Sequence, residues 1–348
     1  MYNFYIDPFL LAYPRADVEI EEFENYINSL TSWGEEIEKI KDINFAGIYT
    51  SAQTAEILAE ENGYPERNEL EKTIKNLNLQ RTVQPRDIII LIEGLMRFPF
   101  IEDRLKLNEI LIDNIECNPS CHIDERNSIF IEHYNRLAIL MCLLCKLKNF
   151  EDKTQILVTR HRKEDSTSIS VKGEVIDYEF CDDTQLWEIP NTVSGCLVSC
   201  VNASSLDVFI DALTIWVHAD CEKTYKYAID IYTRKETLKS EIPKNSLTWS
   251  FGKNFLESAK NLEFLNNEIR VKMLLRACAE TILEQKLQAT HWLRTGKGAN
   301  NPQKKRNKDQ AGAWRRDIDR EYHLHYWQTA NELEFASVVS HNDMSIPE

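Results

Sequence analysis

Glycine and proline are scarce in this chain, at 10 residues each among 348. A turn-dense all-β sandwich would draw on many more turn formers, so long helices with some sheet are expected. Apolar runs are short as well. No uninterrupted apolar stretch reaches the roughly 18 residues that a membrane-spanning helix requires. The longest, LAILMCLLCKL at 137–147, reads as a buried helix. The opening MYNFYIDPFLLAYPRADVEIEEFE carries neither the basic region nor the apolar run of a secretion signal. No membrane association and a cytoplasmic setting are therefore the expectation. Motifs with ready-made chemistry are missing too. GxSxG, HExxH, GxGxxG and GxxxxGK[ST] do not occur, which removes support for esterase, zinc-protease, dinucleotide and P-loop chemistry.

What the chain does have is segregated charge. The formal net of −15 disfavours phosphate binding when taken as a sum. Residues 1–62, however, hold 13 acidic and 3 basic side chains. Residues 291–316 hold Arg294, Lys297, Lys304, Lys305, Arg306, Lys308, Arg315 and Arg316 against Asp309 alone. That distribution suits DNA or RNA phosphates on the basic segment and a protein partner on the acidic N-terminal half. Nine cysteines in a chain without a secretion signal are expected as free thiols. Cys142 and Cys145 form a CxxC, but on an apolar helix they read as small core hydrophobes. Cys117, Cys121 and His122 in ECNPSCHIDE are better placed for zinc, yet no fourth ligand is near.

At about 150 residues per domain, two domains are expected. The first, 1–150, is acidic and mainly helical. A strand at NFYIDPFLLAY precedes helical patterns from Val18 to Trp33, after Pro85, over 103–116 and over 127–149. Thr50 or Ser51 could cap the helix after NFAGIY, and Gly63 could end it. The second domain, 151–348, is expected to be α+β. TQILVTRHR, STSISVKGEVIDYEF and SGCLVSCVNA are rich in β-branched residues, with a hairpin turn expected at Lys172–Gly173. KTYKYAIDIYTRK stays unassigned. Helices after Trp249 place Val271, Leu274, Leu275, Cys278 and Ile282 on one face, and a β-hairpin is expected to end the chain. The fold class is thus α+β: a mainly helical N-terminal half, then mixed sheet with helices.

The chemistry is expected near the C-terminus. Residues 296–312 combine Gly, Asn and basic side chains and read as an exposed, phosphate-contacting loop. The polar run 317–325 follows at once. Read as one strand, it points Asp317, Asp319, Glu321, His323 and His325 to one face. Read as a helix, it keeps the same four-residue neighbours, Asp319 with His323 and Glu321 with His325. A carboxylate fixes the tautomer of a neighbouring imidazole and raises its basicity. These five residues are therefore the candidate acid–base groups, and Asp319, His323 and His325 the candidate ligands for Mg²⁺ or Mn²⁺. LEFASVVSHND at 333–343 is a strand that would fold back on 321–327 and bring in His341 and Asp343. The spacings Arg316-x6-His323 and Arg320-x4-His325 resemble the Arg-x(4–6)-His signature of HEPN ribonuclease domains. That resemblance covers fewer than ten residues and carries no fold with it.

Two functions fit these features. One is a metal-dependent nuclease or phosphodiesterase using the Asp/Glu/His cluster beside the basic loop. The other is a non-catalytic subunit of a nucleic-acid complex of the genome-defence type, contacting DNA or RNA and a partner protein. A third arrangement, in which the basic segment docks on the acidic half of another copy, would dissociate as salt rises.

Overall fold

The computed structural model describes residues 2–14, 18–43, 46–120, 127–148, 153–160, 166–181, 188–239, 247–296 and 300–348. Two mixed sheets carry an α+β architecture, one in each of two compact units, Met1–Phe209 and Ile210–Glu348. In the first unit the elements run β1 (Tyr2–Ile6), α1 (Pro8–Leu11), α2 (Ile20–Ile40), β2 (Ala46–Tyr49), α3 (Thr54–Glu60), α4 (Arg67–Asn76) and α5 (Pro85–Met96). They continue α6 (Ile101–Leu105), β3 (Leu107–Asn118), α7 (Ser128–Leu147), β4 (Thr154–Val158), β5 (Thr167–Phe180), β6 (Thr192–Cys200) and α8 (Leu206–Phe209). The strand order is β2-β1-β4-β6-β5-β3. The first four strands are parallel, and β5 and β3 add antiparallel at one side.

The change of texture near residue 150 lies inside this unit. β4 pairs directly with β1, so the sequence on both sides of 150 shares one sheet, and the division between units falls at Phe209–Ile210. Residues 107–118 form the strand β3 instead of the expected helix. Cross-strand pairing with β5 decides this, and β3 takes up its irregular register through breaks that include Asn114 at φ 50°. Lys172–Gly173 makes no turn either: β5 runs unbroken for 14 residues. Gly34 does not interrupt α2, which continues to Ile40. Gln53, not Thr50 or Ser51, occupies the N-cap of α3, although Ser51 Oγ accepts the Gln53 N–H.

α7 is the core of this unit. Leu137 through Leu144 are all buried, beneath β5 and β6. By length and composition it is also the one helix among the described residues that matches a membrane span, but most of it is packed inside the unit. The close approach explains two glycines in the strands. A Cβ at Gly173 would lie 2.8 Å from Ile139 Cδ1, and one at Gly195 would lie 2.8 Å from Cys142 Sγ. Cys142 is thus a packing residue, and burial pushes its thiol up to about 12. Burial likewise raises Cys117, to about 11. Cys121 and His122 lie outside the described residues.

The second unit contains α9 (Ala212–Val217), α10 (Glu222–Leu238), β7 (Thr248–Phe251), α11 (Phe255–Asn261), α12 (Glu268–Ile282), β8 (Thr290–Trp292), β9 (Gly312–Asp317), β10 (Tyr322–Gln328) and β11 (Glu332–Ser340). Its sheet has the order β7-β11-β10-β9-β8, antiparallel except for β7 on β11. The unassigned segment is the helix α10, whose Tyr225, Ala228, Ile229 and Ile231 are buried. α12 buries Val271, Leu274, Leu275, Cys278 and Ile282, as its spacing predicts. The terminal hairpin β10–β11 is formed.

Overpacking beneath α7 gives a direct test of this core. Gly195→Val is expected to destabilise the protein by about 1–3 kcal/mol, and Cys142→Ala in the same chain should recover part of the loss. Urea unfolding of the two single variants and the double variant measures the coupling; additive losses would place Gly195 away from Cys142.

Candidate functional site

The polar run 317–325 is neither one strand nor one helix. It is the turn of the β9–β10 hairpin with its two flanks. Asp319 closes the turn: one carboxylate oxygen accepts the backbone N–H of Glu321 at 2.7 Å and of Tyr322 at 2.8 Å. Asp319 and Glu321 therefore sit in the connection, and neither becomes the partner of His323 or His325. The hairpin register places Asp317 opposite His323 and Arg315 opposite His325. On the other side of β10, Ser337 lies opposite His325.

The result is a chain of ionisable groups. His323 Nδ1 lies 3.0 Å from Asp317 Oδ1, close enough for charge pairing but without the alignment of a hydrogen bond. His323 Nε2 lies 2.9 Å from Nδ1 of His341, just beyond the end of β11. His291 on β8 stands 3.8 Å from the other oxygen of Asp317. Chemistry assigns the protons. The Asp317 carboxylate favours a proton on His323 Nδ1, so His323 Nε2 accepts from His341 Nδ1–H. That contact leaves the other ring nitrogen of the exposed His341, Nε2, outside the His323 pair. Burial holds His323 below the ordinary histidine range, with the Arg315 charge adding to it and Asp317 opposing.

His325 belongs to the same sheet face but follows a different logic. It is fully buried, and its Nδ1 must donate to the Ser345 carbonyl at 2.8 Å. Its Nε2 then carries a buried lone pair with no hydrogen-bond partner. Burial pushes His325 down to about 4, against the Ser345 contact. The segment after β11 covers this face. Trp327 Nε1 donates to the Pro347 carbonyl, Lys304 Nζ donates to the Met344 carbonyl, and Arg315 touches Met344 Sδ at 3.8 Å. Two buried polar atoms here lack any hydrogen-bond partner, His325 Nε2 and Ser337 Oγ, while Asp317 Oδ1 and His323 Nδ1 face each other out of hydrogen-bond alignment. Buried polar atoms are usually satisfied, so a cluster of exceptions marks a place built for something other than packing.

Two of the expected metal ligands already carry other contacts. Asp319 is committed to the turn, and His325 Nδ1 to Ser345. Among the described residues no three His, Cys, Asp or Glu side chains are grouped to hold an ion.

The basic segment divides into two kinds of cation. Arg306 is buried and forks onto Asp309 at 3.0 and 2.6 Å while its third nitrogen reaches Glu334 at 2.7 Å. Arg316 is buried on the opposite face of β9, paired with Glu280 at 2.7 Å and donating to the Gln285 carbonyl at 3.0 Å. Both are structural anchors, and the face of Arg316 separates it from His323. Burial pushes the Glu280 carboxyl up, but Lys286 and Arg316 together pull it below its ordinary value. Arg294, Lys305 and Lys308 are exposed, Lys304 and Arg315 half-buried. Lys308 lies 3.7 Å from Glu334, while Lys304 donates to the Met344 carbonyl and Arg294 to that of Asn301; Lys297 lies outside the described residues. No match emerges from comparison with known protein families, curated proteins or solved structures.

A second polar group lies in the first unit, around Asp7 at the end of β1. β1 has β2 on one side and β4 on the other, which makes the carboxyl ends of β1 and β4 a topological switch point. Asp7 follows β1 and accepts the Thr159 hydroxyl at 2.6 Å just past β4. Ser51, past β2, donates to Glu102 at 2.7 Å. His133 on α7 is buried with its Nε2 unsatisfied, and burial pushes it down to about 4 with Asp7 opposing. The signal in the sequence was a carboxylate directly after a buried strand. Ser51 with Glu102 and Asp7 with Thr159 bond in pairs, while Thr54 Oγ1, His133 Nε2 and Arg136 Nε of this unit are buried without a hydrogen bond.

Two predictions follow from the buried groups. An unfolded histidine titrates near 6.5, so as pH falls toward 4 the unfolded chain takes up a proton that folded His325 refuses. Stability from His325 is complete above about pH 6.5 and is lost toward pH 4. The melting temperature measured from pH 7 to 4.5 should drop less steeply in His325→Gln than in the parent; identical slopes would contradict the burial. Arg316→Leu leaves Glu280 to the exposed Lys286 and should cost about 1–3 kcal/mol, read as a lowered urea midpoint.

Proposed function

We propose that this protein processes nucleic acid and that its C-terminal unit hydrolyses phosphodiester bonds. The observation that supports the reading best is the Asp317–His323–His341 array, set on a sheet face that also holds two buried polar atoms without a hydrogen bond, His325 Nε2 and Ser337 Oγ. Acid–base cleavage of a phosphodiester needs a base for the attacking hydroxyl or water, an acid for the leaving oxygen, and cations on the phosphate. His341 is the base in this scheme. His323 is a positioning residue that fixes the tautomer of His341, and Asp317 steadies the charge that develops along the pair. Arg315 and Lys304 hold the phosphate, while Arg294 and Lys308 extend the cationic track along the strand. The exposed His291, 3.8 Å from the other oxygen of Asp317, serves as the acid in this scheme. No step in this scheme runs through a metal.

The second reading is a subunit that binds without turnover. Its support is the acidic face of α2, where Glu21, Glu24, Glu35 and Glu38 are exposed and offer a docking surface to a basic partner protein. A nucleic-acid complex of the genome-defence type would use the protein in this way.

Purified protein incubated with end-labelled RNA and DNA, with EDTA, Mg²⁺ or Mn²⁺, decides between them. Cleavage is expected to fall about 10²- to 10⁴-fold in His341→Ala. Asp317→Asn should shift the acid limb of its pH profile, which a merely structural effect would not do. Undiminished cleavage in His341→Ala would remove the array from the mechanism. Binding without cleavage, weakened by salt and by Lys304→Glu/Lys305→Glu/Lys308→Glu, would establish the subunit reading.

A further inference from the structure

The sheet that carries the histidines has a second working face. Because side chains alternate along a strand, the residues between those of the histidine face point the opposite way: Trp314 and Arg316 on β9, Tyr326 and Gln328 on β10, Thr290 on β8. They line a cavity of about 450 Å³, together with Gln303 and Lys305 from the basic loop. We infer that this cavity is a binding site for a single nucleotide, either free or at an unstacked position of a strand.

Three features specify the ligand's chemistry. The Trp314 and Tyr326 rings stack nearly parallel, at 8° with centroids 6.4 Å apart; Tyr326 is buried, so the half-buried Trp314 is the ring that a base can meet. Trp292, half exposed, meets Trp314 edge-on at 6.0 Å and is itself covered by the Arg294 guanidinium at 5.6 Å. Base stacking on such a platform is favourable for every base, since each has a π-face. Gln303 donates an amide N–H to the Ala313 carbonyl at 2.9 Å and offers its side-chain oxygen, and Gln328 adds a second amide to the lining, groups that match a base edge. Lys305 is exposed, without a carboxylate partner among the described residues, and supplies the charge for a phosphate. Arg316 adds a second sign of an incomplete site: it is buried, and its Nε–H has no acceptor. Glu284 is the carboxylate of the lining and stands beside Gln328, away from the ion pairs of Arg316. The volume falls within the range of small-molecule sites and suits one nucleotide, not a duplex.

The choice of a nucleotide over another aromatic anion rests on the proposed nucleic-acid role; the site itself does not depend on catalysis. Calorimetric titration of the full chain with AMP, UMP, adenosine, inorganic phosphate and a short single-stranded oligonucleotide tests it. AMP and UMP are expected to bind more tightly than adenosine or phosphate alone. Trp314→Leu should weaken them about tenfold or more through lost stacking, and Lys305→Gln should erase the advantage of AMP over adenosine. Lys305 is exposed, so that variant reports even where Trp314→Leu disturbs folding. An oligonucleotide that binds in a Trp314- and Lys305-dependent way while mononucleotides stay silent would assign the cavity to a base within a strand. No binding by either source, or binding that ignores both variants, would overturn the site. Nucleotide binding in a protein that never cleaves would leave the site standing and remove the proposed hydrolysis. Cleavage with a silent cavity would do the reverse.

Discussion

The four residues Ile318–Glu321 are the constraint on which the C-terminal unit depends. Asp319 closes this turn with two backbone hydrogen bonds, and the turn fixes the register of β9 on β10. A slip of one residue would exchange the faces of every side chain on a strand. Asp317 would leave His323, and Arg316 would come out of its buried pair with Glu280. The carboxylate that read as a catalytic group in sequence thus acts earlier in the causal chain, as the device that decides which groups can meet.

That register splits one basic, aromatic and histidine-rich stretch into two environments. On one face lie Asp317, His323 and His325, under the segment that ends the chain, where burial keeps the imidazoles neutral. On the other lie Trp314, Arg316 and Tyr326. The Arg316–Glu280 ion pair ties β9 to α12, and the Arg306 fork onto Asp309 and Glu334 ties the basic loop to β11. A buried charge is costly without a partner, so these arginines are specified by their carboxylates and are not free for phosphate. The loop is accordingly anchored at Arg306 while Lys305 and Lys308 on either side stay exposed, which the composition of 296–312 alone would not reveal.

In the first unit, helices with a clear amphipathic period, α2, α5 and α7, are found where the spacing puts them. β3 is not, because Leu107–Asn118 carries apolar residues at intervals compatible with a helix and becomes a strand only by pairing with β5. Gly173 looked like a turn residue and instead makes room for Ile139, a requirement that exists only once α7 lies on the sheet. Near the site, the strand over Tyr322–Gln328 and its return through β11 were legible from alternation and a short polar connection, and so was the approach of His341. The turn within 317–325 was not, since a strand and a helix both keep i and i+4 together and neither pattern signals a reversal.

The sequence by itself determined the α+β class, the segregation of charge, and the concentration of His, Asp and aromatic residues near the C-terminus, because these follow from composition and short-range period. Tertiary structure decided which of them touch. His323 and His341 are 18 positions apart, Arg316 and Glu280 are 36 apart, and Ser345 reaches back to His325. Each of these contacts depends on strand register and on helix packing, long-range constraints that local spacing does not encode. The polar run that marked the chain's most promising segment turned out to be a hairpin, and its chemistry lies across the strands, not along them.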